Sequence, residues 1–294
     1  MHQPYRGCEH GCIYCFARPT HAYMDLSAGV DFESQLFAKP NAANLLRKEL
    51  RQRNYVCRPI ALGTNTDPYQ PIERHHKITR QVIELLADCN HPFTITTKSD
   101  LVLRDLDILQ PLAGRNLNCV SISLTSLDNR LSRIMEPRAS APHKRLNAIK
   151  KLSNAGVRVI VQLAPIIPAI NDQEIEDLLH AAKEHGASQA TMLPLRLPYE
   201  VAGLFEEWVG VHFPDRANKI MKFVREMRDG KANDPNFHSR MSAKGPYAEI
   251  ARARFNKTSK NLGFKGRKYE LATDLFVPPE GDANQLALFG NHPS

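Results

Sequence analysis

Short apolar runs rich in β-branched residues alternate with stretches of helical periodicity from about residue 59 onward. The runs that predict strands are PIALGT (59–64), FTITTK (93–98), CVSISL (119–124), VRVIVQLA (157–164) and QATMLPL (189–195). Between them, apolar residues recur at helical spacing, as in ITRQVIELLADC and HKRLNAIKKLSNAG. This alternation predicts an α/β fold in which parallel strands are joined by right-handed crossovers.

Two of the helix patterns carry end signals. HKRLNAIKKLSNAG ends at Gly156, where a left-handed C-cap is expected. NDQEIEDLLHAAKEHG opens with Asn171 as an N-cap, carries Glu174 three residues later and ends at Gly186. After about residue 198 the strand pattern stops, and helical patterns continue to about residue 268. We therefore predict a core barrel over 1–197, a basic helical extension over 198–275 and a flexible tail over 276–294.

Polar residues gather where the predicted strands end. Because the carboxyl ends of parallel strands lie at one edge of a sheet or barrel, these residues are candidates for one ligand site. The alternative is that the Ser and Thr residues cap the helices that follow. The residues are Thr64, Asn65, Thr66 and Asp67 after the first run, Lys98 and Ser99 after the second, and Ser123, Thr125 and Ser126 after the third.

Positive charge is concentrated in one segment. The chain contains 39 Lys and Arg against 31 Asp and Glu, a formal net charge of +8. Residues 219–268 alone hold 14 basic and 4 acidic residues, interleaved with aromatic rings. We call this segment the basic block; it predicts binding to a phosphate backbone, with rings that stack on bases. The alternative is the solvated surface of a set of helices.

The sequence favours a cytoplasmic protein without membrane contact. No apolar run approaches the roughly 18 residues that a membrane span requires. The first residues, MHQPYRG, lack the apolar core of a signal peptide. Three of the six cysteines, Cys57, Cys89 and Cys119, are scattered through predicted strands and helices, and we expect them to be buried thiols.

The remaining three cysteines, Cys8, Cys12 and Cys15, fall within the eight residues CEHGCIYC. A structural zinc ion would need a fourth ligand. Candidates for that ligand are His2, His10 and His21. An iron–sulphur cluster held by three cysteines would instead leave one iron without a protein ligand. On spacing alone the two possibilities are comparable, because both favour clustered thiolates.

The pattern Cys-x3-Cys-x2-Cys, with Tyr14 before the third cysteine, resembles the signature of the radical S-adenosylmethionine (SAM) superfamily. Further segments resemble the branch that includes spore photoproduct lyase and uncharacterised bacterial relatives: PYRGCEHGCIYCFARPTH, ALGTNTDPYQPIE, TITTKS, IMEPR and LAPIIPAIND. The resemblance covers about residues 3 to 260. It implies a partial (β/α)6 barrel of the TIM type with a C-terminal helical extension. Because only seven residues precede Cys8, we expect a short or truncated first strand.

The same resemblance implies a cofactor and a reaction. Cys8, Cys12 and Cys15 would hold a [4Fe-4S] cluster, and its open iron would chelate the amino and carboxylate groups of SAM. A flavodoxin- or ferredoxin-type reductant would supply the electron that cleaves SAM to methionine and a 5′-deoxyadenosyl radical. That radical abstracts a hydrogen atom from the substrate.

SAM contacts are implied as well. The segment from Thr64 through Asn65 and Thr66 to Asp67 corresponds to the family segment that meets the SAM amino group, with Asp67 as the acceptor. The other implied contacts are Lys98 to the carboxylate, Ser123 to the methionine or ribose portion, Tyr14 near adenine, Pro165 and Ile166 as an adenine wall, and Arg138. The alternative is that Lys98 and Asp67 form an ion pair with each other or with Arg138.

Two positions depart from spore photoproduct lyase. Its hydrogen-donor cysteine and tyrosine correspond to Thr64 and Phe16, which carry neither thiol nor phenol, so we expect a different substrate. We expect radical chemistry on a nucleic acid, such as repair or modification of a DNA base, with the basic block binding phosphates. The alternatives are a radical SAM modifier of RNA or protein, and a zinc-stabilised nucleic-acid-binding module without catalysis.

The segment QLALF (285–289) resembles the short peptide by which bacterial repair and replication proteins bind the DNA sliding clamp. Its anchors would be Gln285, Leu286, Leu288 and Phe289. The alternative is that the peptide folds back on its own domain.

Overall fold

The computed structural model describes residues 3–234, 236, 241–264, 266 and 270–280. Its strands are β1 (Tyr5–Arg6), β2 (Phe37–Ala38), β3 (Ile60–Leu62), β4 (Phe93–Thr97), β5 (Asn118–Ser123), β6 (Val159–Ile166) and β7 (Gln189–Pro194). Strands β3 to β7 form a parallel five-stranded sheet in chain order, and β1 pairs with β2 in a second, antiparallel sheet. The predicted α/β fold is confirmed, and this order is consistent with a partial barrel.

Helices connect the strands and extend beyond them. They are α1 (Asp31–Ser34), α2 (Ala42–Leu50), α3 (Glu73–His76), α4 (Ile78–Asp88), α5 (Leu106–Ala113), α6 (Asn129–Met135), α7 (Pro142–Asn154), α8 (Ile175–Glu184), α9 (Val201–His212), α10 (Ala217–Glu226) and α11 (Gly245–Asn261). Short 3-10 helices cover Arg18–Met24, Asp100–Asp105, Asp172–Glu174 and Pro214–Arg216. Within the described ranges, no helix combines the length and apolarity needed to cross a bilayer.

One hydrophobic core joins the sheet to its covering helices. Fully buried side chains of the central strands, such as Ile122 and Val161, share this core with Leu86 of α4 and Leu152 of α7. Each predicted strand is present, with ends within two residues of the predicted ones. Gly156 has the expected left-handed conformation, with φ of 78°. The periodicity therefore located the elements because burial on both faces leaves an apolar run wherever a parallel strand lies.

The first strand differs from the six-stranded barrel that the resemblance implies. In the described part of the chain the parallel sheet has five strands. The segment Tyr5–Arg6, which precedes the cysteines, pairs antiparallel with Phe37–Ala38 instead of joining that sheet. Gly7 follows at once with φ of 76°, and a Cβ there would meet Leu36 and Phe32. This backbone turn ends the strand after two residues and starts the cysteine loop.

Asn171 does not act as the predicted N-cap. Its side chain makes no capping bond to the following turn. Instead, its Oδ1 accepts from the Ile167 N–H at 2.7 Å and its Nδ2 donates to the carbonyls of Thr125 and Pro165 at 2.7 and 3.0 Å. Asn171 therefore connects the loops that follow β5 and β6, which lie beside the candidate site.

The C-terminal helices pack on the barrel. Phe255 of α11 is buried in the main core, and Arg254 forms an ion pair with Glu176 of α8. Beyond α11, residues 270–277 cross the amino ends of the strands: the Val277 N–H donates to the Cys89 carbonyl at 2.9 Å, and the Phe276 ring meets the His91 ring edge-on. The packed chain therefore continues past the predicted tail boundary at 275, while residues 281–294 lie outside the described residues.

Truncation of Ile122 in the central strand is expected to destabilise the fold. Ile122→Ala should lower the free energy of unfolding by about 2 to 5 kcal/mol, because it leaves a cavity where the side chain is fully buried. Lys150→Ala, an exposed position of α7, should change stability by less than about 0.5 kcal/mol. Urea unfolding followed by circular dichroism measures both; equal effects would contradict the burial of β5.

Candidate functional site

The carboxyl ends of all five parallel strands open into one cavity of about 280 Å³. The three clustered cysteines form one side of it. The strands contribute Thr64 and Asn65 after β3, Thr97 and Lys98 at β4, Ser123 at β5, Gln162 and Pro165 at β6, and Leu193 to Arg196 at β7. The sheet thus places residues that are distant in sequence around a single space, as expected for parallel α/β folds.

The cysteine loop is held by the buried guanidinium of Arg18. Its Nε donates to the Cys12 carbonyl and its Nη2 to the Gly11 carbonyl, both at 3.0 Å. Its Nη1 donates to the carbonyls of Ala28 and Gly29 at 3.1 and 2.7 Å. The planar fork thus joins carbonyls of the cysteine loop to those of the segment at Ala28 and Gly29. Arg18 therefore fixes the direction in which the thiols point.

A second set of bonds joins the cysteine loop to the loop after β3. Gln70 is fully buried; its Nε2 donates to the Gly7 carbonyl at 3.1 Å, and its Oε1 accepts from the Glu9 N–H at 2.9 Å. At the end of β3, Gly63 lets the chain pass close to β4: its φ is 85°, and a Cβ would lie 2.0 Å from the Thr96 carbonyl oxygen. The cysteines and the strand ends are thus fixed relative to each other.

Burial keeps the thiols of Cys8 and Cys12 protonated until a metal binds. It raises the pKa of Cys8 well above the usual value, and the charges of Asp67 and the neighbouring cysteines raise it further. Burial also raises the pKa of Cys12 to about 12. A metal site must therefore supply the charge that stabilises the thiolates.

The donor set suits an iron–sulphur cluster better than a single zinc ion. Within residues that the structure describes, no three His, Cys, Asp or Glu side chains are close enough together to hold one ion. A cluster spreads its thiolates more widely, because each binds a different iron. His21 is buried, with its Nε2 at 2.9 Å from the Gln35 carbonyl oxygen, and His10 lies 3.4 Å from Asp67. His2 lies outside the described residues.

Asp67 connects the ends of β3 and β4. Its Oδ1 accepts from the Thr97 hydroxyl at 2.7 Å and from the Tyr69 N–H at 2.8 Å. Its Oδ2 accepts from the Lys98 backbone N–H at 2.7 Å. These bonds use lone pairs that an incoming ammonium would need. Asp67 lines the cavity, but its geometry is that of a residue that positions its neighbours.

Lys98 presents a cation to the cavity. Its Nζ lies 5.8 Å from the centre of the Tyr14 ring. Burial alone would lower its pKa, but the neighbouring acidic groups of Cys12 and Glu136 outweigh this and the pKa is raised. Lys98 therefore stays charged. Its side chain does not form an ion pair with Asp67, and the two residues meet through the Lys98 backbone N–H instead.

A buried charge network, which the sequence did not reveal, lies behind Tyr14. The Tyr14 hydroxyl donates to Glu136, and Glu136 is paired with Arg145; both charged side chains are fully buried. Burial would raise the pKa of Glu136, but Arg145 and Lys98 outweigh it and lower the pKa. At pH values above the ordinary Glu pKa, the ionised Glu136 carboxylate therefore stabilises the fold. This stabilisation is lost as the pH falls through the lowered pKa of Glu136.

Arg145 also connects this network to the strand ends. Its Nη1 donates to the Ser123 carbonyl at 3.1 Å and its Nε to the Ser140 carbonyl at 2.6 Å. In the sequence, Glu136 stood out only as part of IMEPR, and Arg145 only as one residue of the helix pattern HKRLNAIKKLSNAG. No local signal pairs them, because the tertiary fold alone brings them together.

Three predicted cofactor contacts do not line the cavity. The Arg138 guanidinium is bound by Glu33 and the Glu9 carbonyl on the outer side of the cysteine loop. The Thr66 hydroxyl is buried and donates to the Tyr5 carbonyl at 3.0 Å. Ile166 lines a different cavity beside α11. The other predicted residues line the cavity: Tyr14, Thr64, Asn65, Asp67, Lys98, Ser123, Pro165 and the three clustered cysteines. Their roles toward SAM remain predictions.

The mouth of the cavity carries residues that the sequence did not single out. Arg196 stacks on Phe16, with its guanidinium carbon 4.2 Å from the ring centre. Met241 and Gln162 also line the cavity, and Gln162 lies 3.4 Å from the Ser123 hydroxyl. Thr64 and Phe16, the two positions that carry neither a thiol nor a phenol, also line the cavity.

The basic block is partly neutralised by the fold. Arg225 pairs with Glu206 at 3.0 Å and Lys244 with Asp229 at 2.6 Å. Arg228 is buried and donates to the Leu195 carbonyl. Exposed cations remain on α11, and these include Lys257 and Lys260. Arg240, Lys265, Arg267 and Lys268 lie outside the described residues, as do the four anchors of QLALF, so clamp binding stays a prediction.

Comparison with known proteins identifies a family and several relatives that resemble this chain. Residues 3–182 match the family model described as the Radical SAM superfamily. Uncharacterised proteins of Mycobacterium tuberculosis and Mycobacterium bovis are 36% identical over 223 residues, which cover 75% of this chain and 66% of theirs. The matched region is thus just under two thirds of the length of these relatives. An uncharacterised protein of Methanocaldococcus jannaschii is 29% identical over 170 residues, 58% of this chain and 61% of that protein.

Solved structures of spore photoproduct lyase share the fold. A cysteine-to-serine mutant of that enzyme has a TM-score of 0.58 and 15% identity, with 89% of this chain and 73% of that chain covered. A double mutant with bound AdoMet and dinucleoside spore photoproduct has a TM-score of 0.58 and 16% identity, with the same coverage. At such identity the likeness concerns the fold alone.

Removal of one partner of the buried charge pair is expected to destabilise the protein strongly. Glu136→Gln should lower the free energy of unfolding by about 3 to 5 kcal/mol, because Arg145 stays buried without its counter-charge. The double change Glu136→Gln with Arg145→Met should cost less than the sum of the single changes. Urea unfolding of the metal-free protein measures the cycle, and additive costs would contradict the pairing.

Proposed function

The chain belongs to the radical SAM superfamily, since the matched model covers more than half of it, and we propose that it reductively cleaves SAM to act on a nucleic acid. Membership implies SAM and an iron–sulphur cluster as cofactors. The observation that carries the proposal is the shared cavity, in which Cys8, Cys12 and Cys15 face the carboxyl ends of the parallel strands. In that position a metal group bound by the loop reaches a ligand bound by the sheet.

Cys8, Cys12 and Cys15 would hold a [4Fe-4S] cluster with one iron open to SAM. The bound cofactors supply one-electron cleavage of the sulphonium bond, which yields the 5′-deoxyadenosyl radical. The protein supplies position and enclosure. Arg18 holds the cysteine loop by donating hydrogen bonds to two of the loop's carbonyls. The thiols are therefore already arranged when metal arrives.

Around SAM, we assign Lys98 to the carboxylate, because its ammonium lines the cavity at the end of β4, near Tyr14. Asn65 and the neighbouring Thr64 supply polar atoms for the amino group. Asp67 acts by positioning Lys98, because its oxygens already accept bonds from Thr97, Tyr69 and the Lys98 backbone. Ser123 and Tyr14 face the nucleoside portion, with Pro165 as an apolar wall.

We propose DNA as the nucleic acid, with a base as the site of reaction. Exposed Lys257 and Lys260 on α11 would contact phosphates, and α11 packs against β7 beside the cavity. The named ligand of the spore photoproduct lyase structure, a dinucleoside, supports the same class. Since Thr64 and Phe16 lack a thiol and a phenol, the substrate is a base other than spore photoproduct. The reaction belongs in the cytoplasm, where thiols stay reduced.

Replacement of one cluster cysteine is expected to abolish SAM cleavage. After anaerobic reconstitution with iron and sulphide, the unmodified protein should be brown and, once reduced with dithionite, should release 5′-deoxyadenosine. Cys12→Ser should cut release at least a hundredfold, because a thiolate ligand is lost, with little effect on folding. Cys57→Ser is the matched control, since Cys57 lies outside the cavity. A colourless protein that binds one zinc ion would overturn the proposal.

The nucleic-acid part is tested by the salt dependence of binding. Lys257→Ala with Lys260→Ala should reduce the slope of log K against log salt by about 2 for duplex DNA, because two phosphate contacts are lost. Lys150→Ala with Lys151→Ala on α7 removes the same charge elsewhere and should leave the slope unchanged. Fluorescence anisotropy with duplex DNA, single-stranded DNA and RNA provides the measurement. Binding to none of these at low salt would remove the nucleic-acid proposal.

A further inference from the structure

A second cavity, about 620 Å³ in volume, borders the cysteine loop. It is lined by α3, α6, the first turn of α7 and the connection between α6 and α7. We call it the basic groove. Besides Arg138, which is paired with Glu33, its exposed cations are Arg74 on α3, Arg130 and Arg133 on α6, and Lys144 on α7. Three separate elements therefore bring positive charge to one concave surface outside the basic block.

The cations of the groove are available to a partner. Among the described residues, Arg74, Arg130, Arg133 and Lys144 have no side-chain hydrogen bond or ion pair. Two carboxylates line the groove, and the one on Glu136 is already paired with Arg145. The other, on Asp100, accepts from the Ser140 hydroxyl and faces four unpaired cations. The groove therefore has the charge of a surface that binds an anionic partner.

The wall between the basic groove and the cofactor cavity is thin. His10, which lies between Cys8 and Cys12, lines both spaces. Beside it, Glu136 lines the groove while its partner Tyr14 lines the cavity. The Arg138 N–H donates to the His10 carbonyl at 3.3 Å, which ties the groove's edge to the loop. One layer of side chains separates a partner in the groove from the cysteines.

We propose that the basic groove is the docking surface for an acidic one-electron carrier protein that reduces the iron–sulphur site. This rests on the proposed function. An electron can pass through a single layer of packed side chains, but a substrate atom cannot reach the cysteines through that layer. The groove therefore serves reduction, and the cavity mouth admits the substrate. In the step, the carrier loses one electron and the site held by Cys8, Cys12 and Cys15 gains it. No bond in this chain is made or broken.

The groove variant Arg130→Glu with Arg133→Glu tests the proposal, and Lys150→Glu with Lys151→Glu on α7, outside the groove, is the matched control with the same charge change. The probe is a purified bacterial flavodoxin, titrated calorimetrically into the reconstituted protein at low and high salt. We expect flavodoxin affinity to fall at least tenfold in the groove variant alone. 5′-Deoxyadenosine release driven by reduced flavodoxin should fall similarly, while release driven by dithionite stays within twofold.

The outcomes separate the two proposals. Absence of dithionite-driven release from the unmodified protein sinks the proposed function, and calorimetry still decides the docking surface. Equal flavodoxin affinities in the groove and control variants overturn the docking proposal. Loss of duplex DNA binding with unchanged flavodoxin binding also overturns it, because the groove would then bind phosphates. If the charge reversal prevents folding, the neutral variant Arg74→Gln with Lys144→Gln replaces it, with the same outcomes.

Discussion

The cysteine loop has almost no regular secondary structure, so several of its backbone carbonyls bond to side chains from other parts of the chain. The Arg18 guanidinium bonds the Gly11 and Cys12 carbonyls, and Gln70 joins the loop to the segment after β3. These bonds position the loop against the sheet. The geometry of the whole site therefore depends on a guanidinium and an amide that do not touch the cavity.

Charge within the site is balanced by residues from different parts of the chain. Glu136 lies between the cations Lys98 and Arg145, and each lowers the pKa of its carboxyl. Breaking this set would leave a buried charge without compensation, which costs more than the net stability the set provides. Such a network suits a binding site for a zwitterion, because the surrounding dipoles and charges are already oriented before a ligand arrives.

The sequence predicted those features that follow from regular periodicity. Polar residues after strands were expected to meet because parallel strands end at one edge, and Asn65, Asp67, Lys98 and Ser123 do line one cavity. The orientation of side chains in irregular segments was not predictable. Arg138 follows Glu136 by two residues, yet its guanidinium bonds Glu33 and the Glu9 carbonyl, whereas Glu136 pairs with Arg145.

Contacts between side chains that are far apart in the sequence were equally unpredictable. Arg18 and Arg145 look like surface cations in the sequence, because isolated charged residues usually lie on the surface. Both are buried, and what makes burial tolerable is a set of partners that only the folded chain assembles. Asn171 misled for a related reason: the pattern of a helix start was present, but the Ile167 N–H donates to the side-chain oxygen that a cap would use.

The segment from Glu270 to Val277 passes beneath the barrel, bonded to Asn116 and Cys89 at the amino ends of β5 and β4. The cofactor cavity opens at the other end of the same strands. Residues 270–277 thus cover the pole of the barrel opposite to the cavity. A partner bound at that pole would leave the mouth of the cavity open to substrate.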